Sequence, residues 1–305
     1  MPKLYPDWPS VLGSAVAFVA LSLASIATTA HRRGDDFGSD LPVRDQENIR
    51  KTFDLSAASR PRALEVDNVN GSIEVVGSDS NQVQLVVTRT TRAESQEKLE
   101  LARKEVTLDI TENPGSLTLY VNGPFRCRCG DGRGVHFHGR ETYSVKMDFQ
   151  LQVPRNINLT LSTVNAGQNI VRDVKGNYDV QNVNGGIDML RVAGSGTAHT
   201  VNGGVKVVFC ENPRENSSFQ SVNGSIELYF LRGLAADFRF RTFNGGIYSD
   251  FPVTSLPARP IREEREGTKV VFRADRYTSG RIGAGGVEIR TENLNGNIRI
   301  LESHE

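Results

Sequence analysis

Apolar and polar residues alternate with a period of two along short segments in the second half of the chain. In one such segment Ile226, Leu228 and Phe230 share one face, while Glu227 and Tyr229 lie on the other. Alternation of this kind is typical of strands with one buried side and one solvent-facing side. The pattern therefore predicts a chain built mainly of half-buried β-strands.

Asn-Gly pairs separate many of these segments. In each pair an apolar residue precedes the Asn, and a β-branched residue follows two positions after the Gly. The six pairs are Asn70-Gly71, Asn184-Gly185, Asn202-Gly203, Asn223-Gly224, Asn244-Gly245 and Asn295-Gly296. From Asn165-Ala166, which extends the series upstream, the steps to Asn244 are 19, 18, 21 and 21 residues. A nearly fixed period indicates a repeat architecture.

Two interpretations of the Asn-Gly pairs are open. An isolated pair between apolar runs is typical of a two-residue hairpin turn, which would give an antiparallel meander. A half-period of 9 or 10 residues, however, separates five valines: Val164, Val174, Val183, Val192 and Val201. Two strands and two corners per unit favour a coil that wraps once and stacks on the next at ~4.8 Å. We therefore predict a parallel β-solenoid over 162–305 with about 19–21 residues per coil.

The corners of such a solenoid should share two properties. Gly is expected to supply a positive φ at each corner, because it carries no Cβ. Stacked coils are also expected to align the Asn side chains, so that their amides form hydrogen bonds from one coil to the next.

Residues 62–161 are predicted to form a mixed β cap with one short helix. Glu94/Lys98 and Glu100/Lys104 are i,i+4 pairs of favourable order, which predicts the helix near 93–104. Alternating apolar residues predict strands near 83–87, 106–110, 117–121, 143–153 and 157–161. Because the end of a solenoid exposes unpaired strand edges, a cap has a physical purpose there.

The repeat is interrupted between Phe251 and Phe272. Three prolines precede the run I-R-E-E-R-E-G-T-K, which is too polar and too Pro-rich to continue a coil. A loop insertion near 252–270 is therefore predicted, as either a solvated excursion or a partner-binding loop. The last coil is expected to resume near residue 280.

Several motifs of one known family occur along the chain: V-P at 153–154, T-V-N at 163–165, N-V-N-G-G-I at 182–187, S-V-N-G-S-I at 221–226 and the ending G-R-I-G-A-G-G-V-E-I-R-T-E-N-L-N-G-N-I-R-I at 280–300. Over roughly 62–301 the chain resembles the bacterial putative-adhesin β-strand-repeat family. The resemblance implies an envelope-associated solenoid of adhesin type. It brings no established reaction and no agreed functional residues.

Charge and the N-terminal segment narrow the possible partners and location. Lys+Arg and Asp+Glu are both 36, and this zero balance disfavours nucleic acid as a partner. Residues 11–30 carry no charge and are rich in Ala and Ser. This composition predicts that residues 1–30 are a signal peptide, with cleavage near Ala27 or Ala30. A retained membrane segment or a buried helix are the alternatives. Residues 31–61 are predicted to be a flexible linker, and the protein is expected to be exported to the periplasm, cell envelope or cell surface.

The densest cluster of reactive side chains is Cys127, Cys129, His136 and His138, in the insertion 122–142. Two Cys and two His are a set of zinc ligands, and the gap between the two pairs could close a tetrahedral site. A disulfide between Cys127 and Cys129, or two reduced thiols, are the alternatives.

Motifs of common enzymes do not occur: the chain has no phosphate-binding loop, no H-E-x-x-H and no G-x-S-x-G. Candidate acidic and basic residues of a solenoid lyase each stand alone in their coil: Arg172, Asp173, Asp179, Asp188 and Arg191. We therefore expect a non-enzymatic structural or interaction protein that presents an extended surface to an envelope or surface partner, protein or glycan. The alternatives are a polysaccharide-binding or polysaccharide-processing β-helix protein and an accessory protein of an envelope signalling system.

Overall fold

The computed structural model describes residues 41–55, 61–127, 134–135, 142–165, 167–257, 262–266, 269–273 and 277–303. The predicted signal peptide or membrane segment at 1–30 lies outside these ranges. Within them, no helix is long and apolar enough to cross a membrane.

The described ranges contain one helix, and the remaining elements are strands. The first part of the chain forms β1 Val43–Asp54, β2 Ala63–Asp67, β3 Ile73–Ser78, β4 Gln82–Ala93, α1 Gln96–Glu105, β5 Thr107–Asn113, β6 Ser116–Asn122, β7 Arg126–Cys127, β8 Gly134–Val135 and β9 Tyr143–Pro154. The middle forms β10 Asn158–Thr163, β11 Asn169–Arg172, β12 Tyr178–Asn182, β13 Ile187–Val192, β14 Gly196–Asn202, β15 Val205–Phe209, β16 Ser217–Asn223 and β17 Ile226–Phe230. The last part forms β18 Ala236–Asn244, β19 Ile247–Ser249, β20 Val253–Leu256, β21 Arg262–Glu266, β22 Lys269–Arg273, β23 Thr278–Ile282, β24 Val287–Asn295 and β25 Ile298–Glu302.

Two large sheets contain most of the strands. Sheet A has ten strands in the order β1-β4-β9-β3-β11-β13-β15-β17-β25-β19, and sheet B has eleven in the order β20-β23-β18-β24-β16-β14-β12-β10-β2-β6-β5. The prediction of a mainly β chain with one helix is confirmed. Both sheets are mixed, since the neighbouring strands of the repeat run parallel while β1, β4, β5 and β23 pair antiparallel. The antiparallel pairs of β23 with β18 and β20 lie within 162–305, so the parallel solenoid predicted for this range is not confirmed.

Each corner at an Asn-Gly pair connects one sheet to the other. The chain leaves β12 in sheet B, turns at Asn184-Gly185 and enters β13 in sheet A. It then returns to sheet B in β14, which pairs in parallel with β12, while β13 pairs in parallel with β15. We call one strand of sheet B, its corner and the next strand of sheet A a coil. Because the two strands of a coil belong to different sheets, the hairpin interpretation is wrong.

The predicted amide ladder is present on the corners. Each corner Asn that follows Asn165 in the chain donates from Nδ2 to Oδ1 of the Asn in a neighbouring coil at 2.7–2.8 Å. In spatial order the ladder runs through Asn165, Asn184, Asn202, Asn223, Asn295 and Asn244. Side-chain bonds thus link consecutive coils in addition to the backbone ladders.

The predicted positive φ is found at three of the six Asn-Gly corners, and the other three glycines are needed for a different reason. Positive φ occurs at Gly71, Gly224 and Gly296 but not at the other three Asn-Gly pairs. A Cβ on Gly185 would instead lie 1.9 Å from the carbonyl oxygen of Gly167 in the coil below. Glycine is required there because stacked backbones approach too closely for any side chain.

The residue two positions before each corner Asn forms a second ladder, which lies inside the first. It is always Asn, Thr or Ser, and its side chain usually donates to a corner carbonyl of the neighbouring coil. Thr200 Oγ1 donates to Gly185 O at 2.7 Å, and Ser221 Oγ donates to Gly203 O at 2.9 Å. These buried hydroxyls and amides satisfy carbonyls that would otherwise lie unpaired at the corner.

The order of coils in space departs from their order in sequence at the C-terminal end. We call residues 287–302, with β24 and β25, the C-terminal coil, and residues 236–249, with β18 and β19, the outer coil. In sheet B the strand β24 pairs with β16 on one side and β18 on the other. In sheet A β25 likewise lies between β17 and β19. The C-terminal coil is therefore inserted between two coils that are adjacent in sequence.

The N-terminal part of the described chain joins the same two sheets. β2 and β3 pair in parallel with β10 and β11, and Asn70 bridges Asn165, so a coil is already present at 63–78. Helix α1 confirms the predicted helix and is capped at its N-terminus by Ser95, whose side chain accepts from the backbone N–H of Lys98. The predicted flexible linker is wrong for 43–54, because these residues form β1 and pair with β4 along its whole length. Polar residues predominate on β1 because it is an outermost strand. The alternation of apolar and polar residues therefore did not predict this strand.

The predicted loop insertion near 252–270 contains strands. β20 pairs antiparallel with β23, and β21 pairs antiparallel with β22 as a separate hairpin. The charged run, which predicted a loop, instead forms a strand whose partner lies at 269–273. The polarity of the run alone does not reveal this partner.

The core lies between the two sheets and continues through the stack. Phe209 and Phe230 stack with ring centroids 4.9 Å apart, and Phe230 meets Phe238 edge to face at 5.9 Å. All three rings are buried. Offset and edge-to-face pairs are favourable aromatic arrangements, so they add to the stabilisation from burial.

Candidate binding face

The outer face of sheet B presents the same kind of side chain at equivalent positions of successive coils. Because side chains alternate along a strand, positions five, three and one before each corner Asn point away from the core. The position-five residues form a first polar row: Thr160, Asp179, Thr197, Ser218, Arg290 and Arg239. The position-three residues form a second polar row: Ser162, Gln181, His199, Gln220, Glu292 and Arg241. The residues directly before the Asn form an apolar row: Val164, Val183, Val201, Val222, Leu294 and Phe243.

An open cleft of about 380 Å³ lies over four strands of this face. Its lining includes Asp179, Gln181, His199 and Gln220 from the polar rows and Val183 from the apolar row. The rows place hydroxyl, amide, imidazole and apolar groups side by side. The cleft is thus suited to a ligand with both hydroxyl groups and apolar patches.

Hydrogen bonds within a strand and between neighbouring strands orient the polar groups of the cleft. Thr197 Oγ1 donates to Asp179 Oδ1 at 2.6 Å, and Gln181 Nε2 donates to the same oxygen at 3.2 Å. One strand further along, Nδ1 of His199 lies 3.0 Å from Oε1 of Gln220. These bonds fix the side chains while each keeps further donor or acceptor capacity for a ligand.

The rows end in a charged cluster around Tyr277. The guanidinium carbons of Arg239 and Arg290 lie 4.3 Å and 4.7 Å from the centre of its ring, and its hydroxyl bonds to Glu292 and Arg290. Burial, followed by the hydrogen bond to Glu292, raises the pKa of Tyr277. The face therefore changes from mainly uncharged over β10–β16 to ionic over β24 and β18.

The acidic residues considered for lyase chemistry do not converge. Asp179 lies in the cleft of sheet B, and Asp188 lies on β13 in sheet A, where burial raises its pKa. Asp173 lies at a corner and accepts from Nε and Nη2 of Arg191 at 2.8 Å and 2.6 Å. This hydrogen bond from Arg191 lowers the pKa of Asp173. The three carboxylates thus belong to three separate surfaces.

The cleft lacks the acid pair of a glycosidase. Glycoside hydrolysis generally uses two carboxyl groups about 5–9.5 Å apart across the scissile bond. Among the residues that line the cleft, Asp179 is the single carboxylate.

The predicted zinc site cannot be placed on the structure. The backbone of Cys127 belongs to β7, while Cys129, His136 and His138 lie outside the described residues. Elsewhere in the described chain, no group of three or more His, Cys, Asp or Glu could hold a metal ion. Both the metal site and the Cys127–Cys129 disulfide therefore stay predictions.

Sequence reasoning missed the two polar rows. Their signal is present as polar residues three and five positions before each corner Asn, for example Gln181 and Asp179 before Asn184. Each residue viewed within its own coil resembles an ordinary solvent-facing side chain. The rows become visible only when the corners are aligned.

Comparisons with known proteins identify similar solved structures. No family model matches the chain, and no curated protein matches it. The chain is similar to a putative cell adhesion protein from Clostridium sporogenes, at 10% identity over 85% of this chain and 100% of that one, with a TM-score of 0.44. It is also similar to a putative adhesin from Bacteroides fragilis, at 10% identity over 84% of this chain and 97% of that one, with a TM-score of 0.30. A putative lipid binding protein from Parabacteroides distasonis follows, at 12% identity over 85% and 95% of the two chains, with a TM-score of 0.24.

Proposed function

We propose that the protein is a non-enzymatic interaction scaffold of the bacterial cell envelope, adhesin-like in role, which binds a glycan chain on the outer face of sheet B. The parallel strands from β2 to β18 act in this proposal as a solenoid-like platform. The observation that carries it is the alignment of two polar rows and one apolar row across successive coils.

The chemistry of the rows favours a polyhydroxylated ligand. Each of the four sheet B strands β10, β12, β14 and β16 adds two hydrogen-bonding side chains and one Val to the face. Neighbouring strands are about 4.8 Å apart. A polysaccharide likewise repeats hydroxyl groups and apolar C–H patches along its length. Over these four strands the two polar rows hold one carboxylate, Asp179, so an uncharged or weakly charged glycan fits better than a polyanion.

Two features of the sequence support an envelope location. The uncharged segment 11–30 has the composition of a secretory signal, and the repeat motifs resemble an envelope-associated family. The expected location is the periplasm, the cell envelope or the cell surface. Cell fractionation that finds the full-length, uncleaved chain among cytosolic proteins would contradict it.

Binding and turnover are measured together on the purified protein. The protein is screened against uncharged and charged glycans and envelope polymers, and each mixture is analysed for cleavage products. Replacing Gln181 and His199 by Ala should weaken glycan binding by about tenfold, because two groups of the second polar row are lost. The control is Gln152→Ala, an exposed Gln on β9 in sheet A, which should leave binding unchanged.

The same experiment separates a scaffold from an enzyme. Binding without products supports the scaffold. Polymer cleavage that disappears in Asp179→Asn would overturn the non-enzymatic part of the proposal. Equal weakening by Gln152→Ala would overturn the assignment of the binding face.

A further inference from the structure

Three of the four outermost strands of the large sheets carry features that oppose pairing with another sheet. Strand β1 contains six charged residues: Arg44, Asp45, Glu47, Arg50, Lys51 and Asp54. Strand β5 contains Asp109 and Glu112 and is followed by Pro114. Strand β20 lies between Pro252 and Pro257. Charges and prolines at outermost strands are a usual protection against edge-to-edge association.

Strand β19 at the other end of sheet A is protected only by its length of three residues and by Asp250, which follows it directly, because the strand itself carries no charge and has no proline beside it. It consists of Ile247, Tyr248 and Ser249, all exposed and none charged. The exposed fractions of Ile247 and Tyr248 are 38% and 55%. An uncharged, exposed outermost strand is a template for pairing with a further strand.

Among the described residues, the backbone groups on the open side of β19 have no strand partner. The carbonyl of Gly246 accepts from Ile298 N, and Asp250 N donates to Ile300 O, both at 2.9 Å. Because successive residues of a strand direct their N–H and C=O groups to opposite sides, those of Ile247 and Ser249 point away from β25. Two residues of β19 therefore offer a donor and an acceptor each.

Two repeating features of the stack, the row of Ile side chains in sheet A and the amide ladder, also end at the outer coil. Ile226, Ile298 and Ile247 lie in register, and the first two are completely buried while Ile247 is not. The amide ladder ends at Asn244, which donates to Asn295 and whose Oδ1 has no partner among the described residues. A further strand beside β19 would cover Ile247.

Exposed apolar side chains are concentrated at the same end. Within the described chain the large apolar residues that remain exposed are Val183, Phe243, Ile247, Tyr248, Val253 and Leu294. All except Val183 belong to the outer coil, its neighbour β24 or the adjoining β20. Phe243 is 79% exposed, far more than a soluble surface usually leaves a phenylalanine.

We propose that the protein forms a two-fold symmetric dimer in which β19 pairs antiparallel with β19 of a second copy. An uncharged strand is best matched by another uncharged strand, because a charged partner would lose solvation at the junction. Among the four outermost strands of the two large sheets, β19 alone is uncharged and free of flanking proline. Pairing of β19 with itself joins the two copies of sheet A and closes the assembly at two chains.

Sedimentation of the full-length protein over a wide concentration range tests the proposal. The expected result is a concentration-dependent equilibrium between one chain and two. Ile247→Lys should weaken dimerisation by about tenfold or more, because it places like charges on both sides of the junction. Ser249→Pro should do the same, because it removes an N–H on the open side without removing a bond to β25.

A charge on a protected strand provides the control. Thr52→Lys adds the same charge to β1, where Thr52 is exposed, and should leave dimerisation unchanged. Circular dichroism shows whether each variant is folded, and the two β19 variants perturb different groups, so one folded variant suffices. A wild-type protein that stays monomeric at its highest soluble concentration overturns the proposal. Assembly beyond two chains, or a dimer that survives in the folded β19 variants, also overturns it.

Discussion

Asn295 and Asn223 are 72 residues apart in the chain, yet Nδ2 of Asn295 donates to Oδ1 of Asn223 at 2.8 Å. On its other side, Oδ1 of Asn295 accepts from Asn244 at 2.8 Å. Asn223 and Asn244 are successive corners in sequence, and the C-terminal corner separates them in space. The C-terminal coil thus lies between two coils that are consecutive in sequence, and Asn295 connects their two corner amides. We call this the spacer role of the C-terminal coil.

The corner glycines give a sharp test of stacking distance, because two adjacent glycines differ in the space around them. A Cβ on Gly185 would lie 1.9 Å from a backbone oxygen, whereas a Cβ on Gly186 would meet its nearest atom at 3.4 Å. We expect Gly185→Ala to lower the free energy of unfolding by roughly 2 kcal/mol or more, since backbone must move. Gly186→Ala should change it by less than about 1 kcal/mol.

Urea unfolding followed by circular dichroism measures both glycine variants. Equal effects would mean that the backbones of neighbouring coils do not approach each other closely at Gly185. A larger effect for Gly186→Ala would contradict the assignment of the close contact to Gly185.

The amide ladder predicts an asymmetric response at Asn202. Its Nδ2 donates to Asn184 and its Oδ1 accepts from Asn223, both at 2.8 Å. Asn202→Asp keeps the acceptor but replaces the donor with an oxygen that faces the oxygen of Asn184. We expect a loss of about 1–2 kcal/mol in the free energy of unfolding at neutral pH.

The pH dependence of this variant separates the ladder from a general charge effect. Below about pH 4 the new carboxyl takes up a proton and can donate again, so the deficit relative to wild type should shrink. The control is Asn113→Asp on β5, outside the ladder, which should show a small effect at neutral pH. A deficit at position 202 that is independent of pH would argue against the ladder.

The sequence predicted those parts of the fold that depend on local alternation and on the repeat. The strands, the helix near 93–104 and the aligned corner amides all follow from residues close together in the chain. The position of the C-terminal coil does not, because every corner carries the same Asn-Gly signal. Asn295 matches Asn223 and Asn244 equally well, so the period cannot say which coil lies beside which.

Other features depend on neighbours that the sequence does not name. The need for glycine at Gly185 arises from Gly167 in another coil, which a φ-based argument cannot detect. Strand β1 is held by β4 although few of its residues are apolar. The candidate binding face likewise required the register, since Asp179, Thr197 and Ser218 become one row only after three coils are aligned.

Two carboxylates with opposite pKa shifts predict opposite effects of acid on stability. The hydrogen bond from Arg191 lowers the pKa of Asp173, so the stabilisation from this pair is present above about pH 4 and is lost as pH falls further. Asp173→Asn should therefore lower stability at neutral pH by at most about 1 kcal/mol, and the difference from wild type should vanish in acid.

Burial raises the pKa of Asp188, which gives the opposite sign. The charged form is disfavoured in the folded state, so Asp188 opposes folding at neutral pH and this opposition fades as pH falls. Asp188→Asn should leave stability unchanged or raise it at neutral pH, and its unfolding should be more sensitive to acid than that of wild type. Urea midpoints measured from pH 7 to pH 2 compare the two variants, and identical profiles would contradict the assigned shifts.

The inserted C-terminal coil predicts a selective loss of structure on truncation. Apart from its own corner, the outer coil pairs with β23 in sheet B and, towards the rest of the stack, only with β24 and β25. Removing residues 287–305 should therefore detach β19, and β18 together with β23, from the rest of the stack, while β12–β15, which lie deeper in the stack, keep their partners on both sides. Amide hydrogen exchange should show fast exchange at 236–249 and retained protection at 178–209 in the truncated protein.

A point variant in the same coil tests the idea without removing strands. Ile298 is fully buried and lies in register between Ile226 and Ile247. Ile298→Ala should cost about 2–5 kcal/mol and should accelerate exchange at 236–249 more than at 178–209, because a cavity forms between the outer coil and the rest of the core. The matched control is Ile187→Ala, a buried Ile at the equivalent position of β13, whose cavity should loosen 178–209 first. If the truncated protein kept full protection at 236–249, the outer coil would not depend on the C-terminal coil, and the spacer role inferred from Asn223 and Asn295 would fail.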